Sequence, residues 1–410
     1  MIKKIFLSLI GVVIITAFST KEKKIDKMSF ITHRLETILA TETNPNKIPR
    51  TINKDGSLIT VDIYDWTSGF FPGNLWYMYE LTKEEKWKNE AIKRTEVLDT
   101  IQYWEGNHDV GFIMNCSYGN GLKFGGQKQY KKVIIQSAES LCKRFNTTAK
   151  VIKSWNRNKS WSGEMQHYPV IIDNMMNLEL LFEASKLSGN SKYSDIAKLH
   201  AETTMKNHYR KNYSSYHVVD YDTITGAVIN KKTAQGFADE SSWARGQAWG
   251  LYGYTLCYRY TKDKKFLNFA EHIAKYIIKN PNLPNDLVPF WDYNVKDPKL
   301  KPEWKYNPEK FTVIPRDASA AAITASALFE LALYSKNKKE LLNAANKILA
   351  TITSPAYMVE NSTNKYFILD HSVGSIPHNT EIDVPLVYAD YYLLEAMYRK
   401  NKIDKNKTFK

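Results

Sequence analysis

The feature that most limits what this chain can fold into is a rhythm of paired helical stretches. Apolar residues recur at spacings of three and four through Met28–Thr41, Leu75–Leu81, Trp87–Tyr103, Val133–Arg144, Ile171–Leu187, Tyr193–His208, Ser242–Tyr260, Phe266–Ile278, Ala318–Tyr334, Glu340–Ile352 and Val384–Tyr398. Several pairs consist of a nearly all-apolar stretch followed by an amphipathic one. Short polar joints connect them, such as Leu187-Ser188-Gly189-Asn190-Ser191. An apolar helix must be covered on all sides and an amphipathic one on a single stripe, so the pairs predict stacked hairpins with an inner and an outer layer. The one strand the pattern predicts is Ser57–Tyr64, and no low-complexity linker divides the chain. The expected fold is therefore an all-α toroid forming a single domain over residues 28–404.

Composition narrows the class. A hydrophobic content of 43% and an aromatic content of 13% exclude a disordered chain. The N-terminus carries Lys3 and Lys4, an apolar run from Ile5 to Phe18, and then Ser19-Thr20-Lys21. This is the pattern of a signal peptide over residues 1–20, which predicts export, in a bacterium to the periplasm. The run is too short for a membrane span, and no Cys follows it to carry a lipid anchor. Cys116, Cys142 and Cys257 are odd in number and lack metal-ligand spacing, so free buried thiols are expected. The net charge of +14 favours an anionic partner. The lysines form no dense stripe and fall largely in helix joints such as Lys336–Glu340, which points away from nucleic acid and toward an acidic polysaccharide.

Within this frame the stretch Tyr168–Ser185 stands out. Val170, Ile171, Met175, Leu178, Leu181 and Phe182 share one helical face, with Pro169 in the expected first turn, and Asp173 lies among them. A carboxylate in such surroundings is a first-turn acid favoured by the helix dipole, or a group at a pocket mouth with a raised pKa. Asp109, after His108, is a second carboxyl in an unusual setting. The two together would supply the acid and the ionised partner that glycosidases use. Arg245 offers a bidentate grip on a carboxylate, and Trp243 and Trp249 offer flat faces for sugar rings. The other reading of these three is an Arg–Trp packing unit. His217, near Asp220 and Asp222, is either a structural His or a proton relay. Nucleophile elbows, phosphate loops and His-Glu-x-x-His are absent, and His371 and His378 make no convincing metal site. What remains is a hydrolase working through carboxyl groups with no metal or other cofactor.

Taken in order, Asp-Trp-Thr-Ser-Gly-Phe-Phe-Pro-Gly (65–73), His-Asp-Val-Gly-Phe (108–112), Asp-Asn-Met-Met-Asn (173–177), Trp-Ala-Arg-Gly-Gln-Ala-Trp (243–249) and Asp-Val-Pro-Leu-Val-Tyr (383–388) resemble glycoside hydrolase family 88, the unsaturated glucuronyl hydrolases. The resemblance runs from about Asp65 to Tyr398. It implies an (α/α)6 barrel that acts downstream of polysaccharide lyases, removing the 4,5-unsaturated uronic acid from the non-reducing end of their oligosaccharide products. It implies hydration of the C4=C5 double bond, with Asp173 as acid/base and Asp109 as the second essential acid. His217, Gln235, Arg245 and Trp249 would surround the uronate, with Trp66 and Trp161 as further walls.

In family members that act on sulfated glycosaminoglycans, a Ser-x-x-Ser-x-Lys pattern is associated with sulfate. Here Ser372 and Ser375 are present but Pro377 replaces the Lys. That argues against a sulfated substrate and leaves ulvan or another acidic glycan equally open beside glycosaminoglycans. The alternatives are a related unsaturated rhamnogalacturonyl hydrolase and a non-catalytic glycan-binding toroid, which would not need an acid at Asp173.

Overall fold

The computed structural model describes residues 26–407, apart from 157, 158, 161, 162, 303 and 306. The expected signal segment, 1–20, lies outside them. In chain order the elements are α1 (Lys27–Thr41), β1 (Ile48–Ile52), β2 (Leu58–Val61), α2 (Phe70–Thr82), α3 (Glu85–Glu96), α4 (Val110–Met114), α5 (Asn120–Phe124), α6 (Tyr130–Cys142), β3 (Phe145–Asn146), β4 (Val151–Ile152), β5 (Pro169–Ile171), α7 (Asn174–Ser188), α8 (Ser191–Asn207), β6 (Val218–Tyr221), β7 (Val228–Lys232), α9 (Ala244–Thr261), α10 (Lys264–Ile278), α11 (Ala318–Leu331), α12 (Lys338–Ile352), β8 (Ser372–Ser375), β9 (Thr380–Val384) and α13 (Val387–Asp404).

Six helical units form the inner ring: α2, the joined α4–α5, α7, α9, α11 and α13, the last returning onto α2. Outside them α3 packs on α2, α6 on α4 and α7, α8 on α7, α10 on α9 and α12 on α11, while α1 buries Ile31, Leu35 and Ile38 in the same core. This is an (α/α)6 barrel. Composition explains the layering. Helix α11 reads Ala-Ser-Ala-Ala-Ala-Ile-Thr-Ala-Ser-Ala-Leu-Phe-Glu-Leu, and every residue of it is buried. Small side chains let α9 and α13 approach it on both flanks. Helix α10 instead buries one stripe, Phe266, Ala270, Ile273, Ala274 and Ile277, and leaves the rest to water. The three cysteines are free and buried. Among the described residues no helix is long and apolar enough to cross a membrane.

Two expectations are corrected. The segment after His108, absent from the helical stretches expected above, is the second inner helix, with a π-helical turn at Asn115–Gly119 between α4 and α5. Its Gly and Asn content hides the helix from propensity, yet close packing requires it: a Cβ on Gly111 would lie 2.4 Å from Asn177 Oδ1. The segment Ile171–Leu187 is not helical throughout. Pro169–Ile171 is the outer strand of an antiparallel sheet ordered β5-β6-β7, and α7 begins only at Asn174. Pro169 thus opens a strand, where its missing N–H is tolerated at an edge.

Deep in the ring, Glu395 accepts hydrogen bonds from Tyr77 (2.8 Å), Tyr252 (2.9 Å) and Ser326 (2.6 Å). Arg399 bridges Glu395 (3.2 Å) and Glu330 (3.0 Å). Replacing the Arg of such a network leaves buried charge without compensation, so Arg399→Met should cost about 3–5 kcal/mol in denaturant unfolding.

Candidate active site

The sheet determines where the carboxyl group goes. β5 and β6 pair Ile171 with Val218, and one step further the Ile172 N–H donates to the His217 carbonyl at 3.0 Å. The chain turns there into α7, which leaves Asp173 beside His217, with Oδ2 3.7 Å from Nε2. Asp173 occupies the N-cap position of α7 but its side chain caps nothing. The first N–H groups are served by backbone instead, Met175 by the Ile172 carbonyl and Met176 by that of Asp173. The dipole-stabilised first-turn acid is therefore not what forms. Burial pushes the Asp173 carboxyl up to about 7, opposed by the Arg245 charge and by the Trp249 indole N–H, which faces it without completing a hydrogen bond.

His217 is held by its other nitrogen. Nδ1 accepts the N–H groups of Ala234 and Gln235, both at 3.1 Å, so the proton of the neutral ring sits on Nε2, directed at Asp173. Burial and the nearby Arg245 charge lower its pKa to about 3. The two acids near it in sequence are engaged elsewhere: Asp220 accepts the backbone N–H groups of His167 and Tyr168, and Asp222 caps an exposed turn. Trp243 packs on the His217 ring at 4.5 Å, and the Arg245 guanidinium lies over the Trp243 ring, also at 4.5 Å.

Asp109 repeats the pattern. It stands at the N-cap position of α4 with no capping bond from its side chain. His108 Nε2 lies 3.3 Å from Oδ1. Burial raises the Asp109 carboxyl well above the usual range, helped by Asp173 and Asp65 and opposed by Arg144. The sequence reading paired an acid with an ionised partner; burial instead raises each carboxyl, and the Asp173 charge pushes Asp109 further in the same direction.

The remaining expected residues divide into open and enclosed positions. Gln235 and His217 line a cavity of about 320 Å³ together with Trp155, Gln166, Ile171 and His378. Trp66 is half-buried and packs on Phe70, Phe112 and Tyr388. Arg245 does not reach open space: it is fully buried and its guanidinium donates to Asp317 (3.2 Å) and to the carbonyls of Val373 and Gly374 (2.8 Å for the latter). It fastens β8 to the start of α11 and acts on Asp173 through its field. Trp249, fully buried, and Trp243, 3% exposed, present no free face to a sugar. Ser372 is enclosed at the start of β8, whereas Ser375 contacts His378. Trp161 lies outside the described residues. Trp155, Gln166 and His378 were not picked out as site residues because they come from loops, where no periodicity marks a side chain as inward-facing. Among the described residues no three His, Cys, Asp or Glu side chains converge on a metal position. A second cavity of about 320 Å³ lies at the opposite ends of α7 and α9, where Glu179 and Arg259 pair at 2.7 Å. It is remote from the carboxyl pair.

Two carboxyl groups kept close to neutrality in a dry setting suit acid–base attack on a sugar derivative, and the molecule is a glycoside hydrolase. The comparisons with known proteins identify which. No family model matches the sequence. The unsaturated glucuronyl hydrolase of Formosa agariphila is 46% identical over 386 residues, 93% of this chain and 92% of the relative. An unsaturated chondroitin disaccharide hydrolase of Streptococcus pneumoniae is 30% identical, over 83% of this chain and 82% of its own. The crystal structure of an unsaturated glucuronyl hydrolase specific for heparin superposes with a TM-score of 0.84 at 45% identity, covering 93% of this chain and 98% of that one. The chain belongs to the unsaturated glucuronyl hydrolases, enzymes that remove an unsaturated uronic acid from oligosaccharides.

The Arg245 charge favours ionised Asp173, so its removal must raise that carboxyl. In Arg245→Met the carbon-13 carboxyl titration of Asp173 should move up from about 7.

Proposed function

We propose that Asp173 is the proton donor and acceptor of the reaction. Protonated, it delivers its proton to C4 of the enol ether. As a carboxylate it then takes a proton from the water that adds at C5, and the resulting hemiketal rearranges to release the uronate as a keto acid. The observation that carries this reading is the Asp173 carboxyl, raised by burial to about 7, whose Oδ2 is buried without a hydrogen-bond partner among the described residues and faces the His217 Nε2–H. A donor works best when its pKa matches the working pH. His217, unable to become charged, orients substrate or water through its Nε2–H. Asp109 receives ring hydroxyls, and Gln235, Trp66 and Ser375 with His378 border the bound sugar. Arg245 and Trp249 act from behind, through Asp173.

The substrate class is an acidic oligosaccharide bearing a 4,5-unsaturated uronic acid. The chondroitin and heparin activities of the two relatives favour a glycosaminoglycan source, and the conjugated double bond implies a lyase upstream. The pattern at residues 1–20 supports export to the periplasm. The glucuronyl relatives weigh against the rhamnogalacturonyl alternative, and the unpaired acid weighs against a purely binding role.

Absorbance of the C4=C5 bond reports turnover directly. Lyase-generated disaccharides of heparin, chondroitin and ulvan should lose their ultraviolet absorbance on addition of enzyme, and the substrate that responds names the glycan. Asp173→Asn should lower kcat by about 10²- to 10⁴-fold with disaccharide binding retained; unchanged turnover would remove Asp173 from the mechanism. The reactive form is protonated and its pKa is raised, so kcat/KM should hold below pH 7 and fall as pH rises through about 7. A profile rising through that range would contradict the assignment.

A further inference from the structure

An Asp at a helix N-cap normally turns its carboxylate back onto the N–H of the second or third helical residue. Asp26, Asp263 and Asp317 do so at the starts of α1, α10 and α11. Asp109 and Asp173 hold the same position on neighbouring inner helices, and neither does. At α7 the backbone serves the early N–H groups. At α4 the accounting differs. Gly111 N–H reaches the His108 carbonyl at 3.1 Å, and Ile113 N–H reaches the Asp109 carbonyl at 2.9 Å. The Phe112 N–H, which the Asp109 side chain would ordinarily take, goes instead to Asn177 Oδ1 at 2.8 Å.

Asn177 lies one turn into α7 and is wholly buried. Its amide N–H₂ donates to Asn174 Oδ1 at 3.4 Å, and Asn174 in turn donates to the Ile152 carbonyl at 2.7 Å. This relay fixes which way the Asn177 amide points, with its oxygen toward α4. Gly111 makes the approach possible, since any side chain there would strike Asn177.

We propose that Asn177 is a positioning residue: it caps α4 from a neighbouring helix and so keeps the Asp109 carboxyl free to face the sugar. Without that acceptor, the Phe112 N–H is a buried orphan within reach of the adjacent Asp109 side chain. Asp109 would then turn inward to cap its own helix, become stabilised as an anion, and turn away from the sugar. The inference rests on the reading of Asp109 and Asp173 as the reacting and binding carboxyls, but its first test does not.

That test is a carbon-13 carboxyl titration of Asp109 in the wild-type chain and in Asn177→Ala. The Asp109 midpoint should fall by more than one pH unit in the variant, and an unmoved midpoint would overturn the proposal. Asn177→Leu, which keeps the side-chain volume while deleting the acceptor, should lower the midpoint in the same direction and covers the case of poor folding in Asn177→Ala. The second measurement is kcat/KM by absorbance on the responsive disaccharide. Misplacement of a binding group of this kind costs about 10²-fold. The losses in Asn177→Ala and Asp109→Asn should not add in the double variant, because both remove the same carboxyl from the sugar. Fully additive losses would assign Asn177 a role in stability alone. Full turnover in Asp109→Asn itself, beside a shifted Asp109 midpoint, would sink the functional reading and leave the capping inference standing.

Discussion

Everything at the open end of this barrel depends on two carboxyl groups being withdrawn from water without receiving a Lys or Arg ion pair. Ionised carboxylates in such surroundings are costly, and a protein ordinarily relieves the cost with a cation or with backbone N–H groups. Here neither remedy is applied in full. Arg245 and Arg144 act on the pair through space while their guanidinium groups are engaged elsewhere, with Asp317 and the Val373 and Gly374 carbonyls in one case and the Lys153 and Glu105 carbonyls in the other. The helix N-termini, which would welcome an anion, have their early N–H groups occupied by other acceptors. The result is acidity tuned by subtraction, with the proton retained near neutral pH because each ordinary stabiliser of the anion has been assigned other work.

The same economy shapes the histidines. His217 is locked as a neutral donor by two backbone N–H groups on the opposite nitrogen, and His108 is buried enough for its pKa to fall to about 3. A charged imidazole at either place would hold the adjacent carboxyl ionised. Keeping both rings neutral is therefore part of keeping the acid an acid.

The architecture was legible because it rests on periodicity. The apolar–amphipathic alternation predicted the layering, and α10 and α11 show why: one carries a stripe and the other is apolar on every side. The second inner helix was missed because Gly111, Gly119 and Gly121 read as breakers, whereas they are the residues that allow close packing. The start of α7 was misplaced because a buried strand of three residues, Pro169–Ile171, leaves no alternation to detect. At the site, Asp173 and Asp109 could be found as carboxyls in apolar or unusual company. That Trp249 faces inward, and that Arg245 grips β8 and not a ligand, depend on segments more than a hundred residues apart, which a local pattern does not encode. The family resemblance supplied the names of the residues but not these roles.

Closure of the ring joins the two ends of the chain. Arg50, in β1, pairs with Asp65 at 2.5 Å and with Glu381 of β9 at 2.5 Å, and the Thr51 hydroxyl donates to the Pro385 carbonyl. Arg34 of α1 bonds the carbonyls of Asn364 and Val359. During synthesis, then, a ribosome that has produced both carboxyls and both histidines has still not produced an enzyme. The hairpin β8–β9 that covers Arg245, and the helix α13 that shuts the ring, come more than a hundred residues later in the chain. The site comes into being only when α13 meets α2, a contact in which the Tyr77 hydroxyl donates to Glu395 across 318 residues of sequence.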